Sequence, residues 1–309
     1  MIERKIIHLK IGNMKWVNTV DISDEDRRIL NEKDKLSTEF LEYATDADES
    51  PRSEYDEINE IKLLCFDVPY YDSFMDSPAT APLVFIIREN ILYTFIEQNE
   101  DYVYLNKLLG KTVTEKEYES LYHLLFSVLY KFCLIYHDKL TKMNKERGDI
   151  KRSFKKAMKN SDIYKLLNIE QGLTYLSTSL KANRLALNTL KRRWKHKNGK
   201  LSEIEEEKLE DVLIEADQAA EMTEILITIV EKEKLAYSAI IDNNLNTTMK
   251  FLTIFTVLLA IPSMIFGFFG INTSIPFQNA ENGWIYVILI TVVICIIFIF
   301  SLWRNKFLK

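Results

Sequence analysis

Apolar and polar positions change rhythm along the chain. Short β-prone runs with mixed or continuous apolar character occur at Lys5–Ile11, Ile61–Val68, Leu83–Arg88 and Ile91–Glu97. The last two are separated only by Glu89-Asn90, which predicts a hairpin. Ser23 followed by Asp24, Glu25 and Asp26 predicts a helix N-cap with acids in the first turn. Asp46–Glu60 is acidic, contains Pro51 and reads as a loop or poorly ordered connection. From about Thr114 the period becomes helical. One helix is expected over Glu117–Lys145, a break at Gly148, and a second helix from Ile150 to about Lys197, with a turn at His196-Lys197-Asn198-Gly199. Leu201–Ile261 then holds neither Gly nor Pro in 61 residues. At 1.5 Å per residue that is a rod of roughly 90 Å, which needs partner helices to be stable.

The rod runs into a different solvent. No charged side chain occurs in the 30 residues from Phe251 to Ala280, and after Glu281 another 22 uncharged residues run from Asn282 to Trp303. A bilayer core takes roughly 20 apolar helical residues, so each stretch can span it. The organisation expected is a cytoplasmic α/β domain over 1–115, antiparallel helices over 116–200 and a stalk helix over 201–250. A first membrane span follows over 251–271, an external loop over 272–283, a second span over 284–303 and a basic tail over 304–309. Lys250 precedes the first span, Arg304, Lys306 and Lys309 follow the second, and the connecting loop has no Lys or Arg. That distribution places both termini in the cytoplasm of a multi-pass protein of the cell membrane. Met1–Ile11 has no apolar run long enough for a signal peptide.

Composition sharpens this. The 309 residues include only 8 Gly and 6 Pro, which excludes collagen-like and loop-rich folds and favours long helices. The mean hydropathy of −0.10 is an average over two unlike parts. Cys65, Cys133 and Cys295 lack metal-ligand spacing and read as structural. His8, His123, His137 and His196 are scattered, and no nucleophile motif accompanies them, so an enzyme is not expected. The net charge of −5 argues against a nucleic-acid partner, and Lys191-Arg192-Arg193 with Lys195, Lys197 and Lys200 reads as a solvated tip.

The first span carries the candidate chemistry. Asn246, Met249, Thr253, Thr256, Ala260, Ser263, Gly267 and Gly270 are spaced alternately three and four apart, a seam of period 3.5 among Phe, Leu, Ile and Val. Small residues on such a seam let membrane helices pack closely. Alternatively, one copy from each subunit lines a pore. The span closes on Gly270-Ile271-Asn272, followed by a loop, the second span and the basic end.

In these features the sequence resembles the CorA family of divalent metal ion transporters. The family pattern is Gly-Met-Asn, and Ile271 stands here in place of Met. The resemblance implies an α+β cytoplasmic domain, a long helical stalk and two C-terminal membrane helices in a funnel-shaped homopentamer. It implies passive, potential-driven uptake of Mg2+, with Mg2+ as transported and regulatory ion and no other cofactor. Its partners would be its own copies, membrane lipid and divalent cations. Asn272 would form an outer ring with carbonyls near Gly270, and Ser263, Thr256 and Asn246 would offer further oxygens. Met249 with Leu252 or Leu259 would form an apolar gate, and Lys250, Arg304, Lys306 and Lys309 a basic inner mouth.

Eight acids lie between Glu203 and Asp217, and most suit a solvated helix face. Asp211, 59 residues before Gly270 on the same seam, is by resemblance a regulatory Mg2+ ligand at a subunit boundary, with Asp72 as its candidate partner. Ile271 keeps the zinc-transporting branch open, and cobalt or nickel transport also remain alternatives. A non-conducting membrane-anchored sensor or scaffold is the alternative of another class.

Overall fold

The structure is a computed structural model that describes residues 2–8, 13–72, 77–96, 103–115, 118–156, 160–196, 201–271, 274–277 and 280–304. It divides into two units, Met1–Lys234 and Leu235–Lys309.

The first unit is built on a six-stranded mixed sheet. Its strands are β1 (Ile2–His8), β2 (Asn13–Val20), β3 (Arg52–Asp56), β4 (Ile61–Asp72), β5 (Ser77–Arg88) and β6 (Ile91–Ile96), in the order β1-β2-β6-β5-β4-β3. Only the β2–β6 pairing is parallel. Helices α1 (Asp24–Glu32) and α2 (Thr38–Tyr43) cover one face, with Leu30, Leu36 and Phe40 packed in one core with Val17, Leu63, Ile86 and Phe95. Helices α3 (Val103–Glu115), α4 (Leu121–Lys156) and α5 (Asn160–His196) follow in the chain, and α4 and α5 pack on the sheet. Adjacent residues such as Leu63 and Leu64 are therefore both buried, which explains the continuous apolar run in β4.

Several expectations are met locally. Ser23 caps α1: the Asp26 N–H donates to its hydroxyl at 3.2 Å, and the Ser23 N–H donates to the Asp26 carboxylate at 3.1 Å. Strands β5 and β6 form the hairpin about Glu89-Asn90, with Glu89 at φ 52°. Others are corrected. Asp46–Glu60 is not wholly a loop, because β3 lies within it as an edge strand on which Ser53 alone is buried, too short a pattern to give a period of two. Gly148 does not break the helix. Burial of Met143, Ile150 and Phe154 on α4 outweighs the roughly 1 kcal/mol that Gly costs a helix. Helix α5 consequently starts at Asn160 rather than near Ile150. Most of the expected turn after His196 lies outside the described residues.

Helix α5 approaches the sheet closely. A side-chain carbon at Gly172 would stand 2.9 Å from Pro78 Cδ and 3.0 Å from Met143 Cε, so glycine is needed there. Further along, β3 has already ended opposite Cys65, and the backbone of Asp67 lacks a strand on that side. Asn183 replaces it. Its amide oxygen accepts from the Asp67 N–H at 2.8 Å and its amide nitrogen donates to the Asp67 carbonyl at 2.9 Å, where the Tyr136 hydroxyl also donates at 3.0 Å.

The Asp67 side chain beside this clamp is pushed up to about 6 by burial, against a hydrogen bond with Ser179 that lowers it. Its unfolded counterpart titrates near ~3.9. The native chain thus holds this proton more tightly, and the group's stabilising contribution is full below about pH 4 and lost as pH rises through about 6. Asp67→Asn should raise the melting temperature at pH 7.5 by the equivalent of about 2–3 kcal/mol, with the gain shrinking towards zero at pH 4. A gain independent of pH would refute this account.

The long helix α6 (Glu203–Phe269) begins in the first unit and ends in the second. In the first, Leu209, Val212, Ala216, Ala219, Thr223, Leu226 and Val230 are buried at alternating steps of three and four. The second unit contains the rest of α6 and α7 (Gly283–Arg304), and both helices are long and apolar enough to cross a membrane. Helix α6 runs on through Pro262 and Gly267.

Candidate functional site

The two readings of the small and polar seam differ in what should cover it. Residues partly covered on the membrane part of α6 are Ile254, Leu258, Ile261, Pro262, Ile265 and Phe269. On α7 they are Val287, Ile290, Thr291, Cys295, Phe298 and Leu302. These two apolar stripes are the pattern of helices resting on each other. The seam lies elsewhere: Asn246, Met249, Thr253, Thr256, Ala260, Ser263, Gly267 and Gly270 are all exposed. Packing among the described residues leaves the small residues exposed.

Hydroxyl geometry adds chemistry to this open face. Thr253 donates to the Met249 carbonyl at 2.8 Å, Thr256 to the Leu252 carbonyl at 2.8 Å, and Ser263 to the Leu259 carbonyl at 3.1 Å. A hydroxyl that has given its proton to the backbone offers only lone pairs outward, which suits a cation or its water shell. Met249, Leu252 and Leu259, the gate candidates, are each more than half exposed.

The far end of α6 is tightly turned. Gly270 donates to the Gly267 carbonyl at 3.3 Å, and a side chain on it would meet the Phe266 carbonyl oxygen at 3.1 Å. Ile271 follows, exposed, and Asn272 lies outside the described residues. In the loop, Phe277 has φ 70° and its carbonyl accepts from Ala280 at 3.1 Å. That same oxygen would be 2.6 Å from a side-chain carbon at Gly283, so only glycine fits at the start of α7. Lys250 and Arg304 are exposed at the opposite ends of the two spans, while Lys306 and Lys309 lie outside the described residues.

The seam also continues backwards further than its sequence definition. Steps of four and three from Asn246 reach Asp242, Ala239, Leu235, Lys232, Thr228, Ile225, Glu221, Gln218, Ile214 and Asp211, and all but the half-buried Asp211 are exposed. Asp242, one helical turn before Asn246, was missed; extending the same count would have found it.

Several of the acids near the start of α6 have partners, Glu210 and Asp217 while remaining exposed. Glu205 is buried, accepts from the Ser202 N–H at 2.7 Å and is hydrogen-bonded to Ser120, joining the starts of α6 and α4. Glu210 pairs with Lys191, Glu215 with His137 at 3.0 Å and Asp217 with Arg184 at 2.6 Å. Arg193 donates to the Ser53 carbonyl at 3.2 Å, so neither it nor Lys191 belongs to a merely solvated tip. Asp211 pairs with Lys208 at 2.8 Å, and that hydrogen bond holds the Lys208 ammonium above its usual range. The backbone of Asp72 ends β4, but its side chain lies outside the described residues. Among the described residues no group of three His, Cys, Asp or Glu is placed to hold a metal ion.

Residues 12–304 match the family described as CorA-like Mg2+ transporter protein. The chain is 26% identical over 298 residues to the cobalt/magnesium transport protein CorA of Methanocaldococcus jannaschii, covering 94% of this chain and 90% of that protein. Its fold matches the complete structure of the CorA magnesium transporter from the same organism with TM-score 0.79 and 25% identity, covering 96% of this chain and 92% of that one. The full-length CmaX protein matches in fold with TM-score 0.73 at 16% identity, covering 97% and 90% of the two chains. The cytoplasmic domain of ZntB from Vibrio parahaemolyticus matches in fold with TM-score 0.56 at 11% identity, over 75% and 88%.

Proposed function

The chain belongs to the CorA family of divalent cation transporters, a family of membrane transporters and not of enzymes, and from that premise we propose that it forms a homopentameric channel for passive, potential-driven Mg2+ uptake. The observation that carries the pore reading is the seam on α6, left open by α7 and lined by hydroxyls whose protons are already given to the backbone.

Mg2+ dehydrates reluctantly and prefers oxygen in octahedral geometry. In the proposed pore it keeps its inner waters, which donate to Asn272 at the outer ring and then to Ser263, Thr256 and Asn246. Met249, with Leu252 or Leu259, closes the path by excluding water. Asp242 supplies a carboxylate beyond Asn246 on the cytoplasmic side. The membrane potential drives each dication inward with about 2.3 kcal/mol per elementary charge per 100 mV. Both termini lie in the cytoplasm, and Lys250, Arg304, Lys306 and Lys309 surround the inner mouth or meet anionic lipid. Mg2+ is favoured over Zn2+, Co2+ and Ni2+ because Asn272, Ser263, Thr256 and Asn246 offer oxygens and the seam carries no His or Cys, although the relative from Methanocaldococcus jannaschii is called a cobalt/magnesium transport protein.

Intracellular Mg2+ closes the channel by binding between cytoplasmic domains. Among the described residues Asp211 has one ion-pair partner, Lys208, on its own helix. A regulatory site there is completed by another copy, with Asp72 as the proposed contributor. Bound Mg2+ offsets carboxylate repulsion and holds the closed arrangement, and its loss frees the open one.

Liposomes reconstituted with the full-length protein and loaded with a magnesium-sensitive dye test the whole proposal. Wild type should take up Mg2+ faster than Zn2+, Co2+ or Ni2+, and absence of uptake would leave the scaffold reading. Asp211→Ala should shift inhibition by internal Mg2+ to about tenfold higher concentration, the loss of roughly 1.4 kcal/mol of differential binding. Unchanged inhibition would remove Asp211 from the sensor.

A further inference from the structure

Away from the ion path, the first unit contains a cavity of about 300 Å3 at the carboxyl ends of the parallel strands β2 and β6. Its apolar wall comes from Val84, Phe95 and Ile96. Its polar wall has an uneven chemistry. Thr19 and Thr45 donate their protons to the carbonyls of Thr94 at 2.7 Å and Leu41 at 2.9 Å, so both hydroxyls offer lone pairs. Asp21 and Asp46 add carboxylate acceptors. Among the described lining residues, Arg27 is the sole cation. The neighbouring Asp26 carboxylate is committed to the cap of α1.

The Arg27 guanidinium is always charged and presents fixed donors that match a carboxylate. The cavity therefore asks for an acidic group against Arg27, a hydrogen-bond donor against the surrounding acceptors, and an apolar body on the sheet. The two carboxylates on the same wall disfavour a multiply charged anion. We propose that this cavity binds a small organic acid that carries a hydroxyl or ammonium beside its carboxylate and an apolar chain, an amino or hydroxy acid. At the lower end of the roughly 300–1,000 Å3 common for ligand pockets, it excludes a nucleotide. The site shares no residue with the proposed pore, and its occupancy is measurable without transport.

The full-length protein in detergent is titrated calorimetrically with L-leucine, 2-hydroxy-4-methylpentanoate, 4-methylpentanoate and leucinamide. L-leucine or the hydroxy acid should bind at millimolar concentration or below, and which of them binds tighter identifies the donor. Arg27→Gln should weaken that binding about tenfold or more. Ala44→Leu, which fills the cavity from its other wall, should abolish it, while Arg28→Gln on the exposed side of α1 should leave it intact. Absence of binding by both acids, equal binding to Arg27→Gln, or equal binding of leucinamide would overturn the assignment. Equal binding of 4-methylpentanoate would overturn the required donor.

Discussion

Asn272→Ala should reduce Mg2+ uptake by reconstituted liposomes by about two orders of magnitude while leaving the protein folded and assembled. In the proposed pore each copy contributes one amide oxygen to a ring that receives hydrogen bonds from the waters of the dication. Hydrogen bonds to charged groups are worth about 1.5–3 kcal/mol each, and alanine removes one from every subunit at once. A rise of only 2.7 kcal/mol or so at the rate-limiting ring is about a hundredfold in rate. The substitution leaves untouched the turn at Gly270, whose N–H donates to the Gly267 carbonyl at 3.3 Å. Uptake that persists at the wild-type rate would reject Asn272 as the selectivity ring.

The largest effect on stability is expected at Asn183. Leucine has a similar size, and nothing about its hydrophobicity conflicts with a residue that is fully buried. Yet Asn183→Leu would strip the Asp67 N–H of its acceptor and remove one of two donors from the Asp67 carbonyl. The unmatched N–H costs about 1–3 kcal/mol and the lost bond to the carbonyl about 1 more, so a loss of about 2–4 kcal/mol is expected. Thermal unfolding of the first unit within the full chain should report it. A melting temperature equal to that of the wild type would show that water takes over both bonds.

These two residues also mark how far the sequence can be read. The two long apolar helices and the exposed seam on the first of them are legible because hydrocarbon imposes a strict rule on composition and a helix imposes a strict spacing. The hairpin at Glu89-Asn90 and the Ser23 cap were legible for the same local reason. Asn183 was not, since its role depends on β3 stopping opposite Cys65, far away in sequence. Strand β3 itself was hidden because an edge strand with one buried residue has no apolar alternation to display. Gly148 misled because local propensity yields to a well-packed face. The acids from Glu205 to Asp217 looked alike along the chain, and only packing against α4 and α5 separates a cap from an interhelical ion pair.

Pro262 gives the membrane part of α6 an uneven stiffness. Having no N–H, it leaves the Leu258 carbonyl without its usual donor, in a medium with little water to substitute. Below that point the ladder is intact; above it the helix lacks one rung, and Gly267 and Gly270 add little side-chain bracing. The outer third of the span can therefore flex as a short reed on a stiff stem. In the proposed pore, fluctuations that adjust the Asn272 ring to a passing hydrated ion then need not travel down to the proposed gate at Met249, which separates the task of fitting the ion from the task of admitting it.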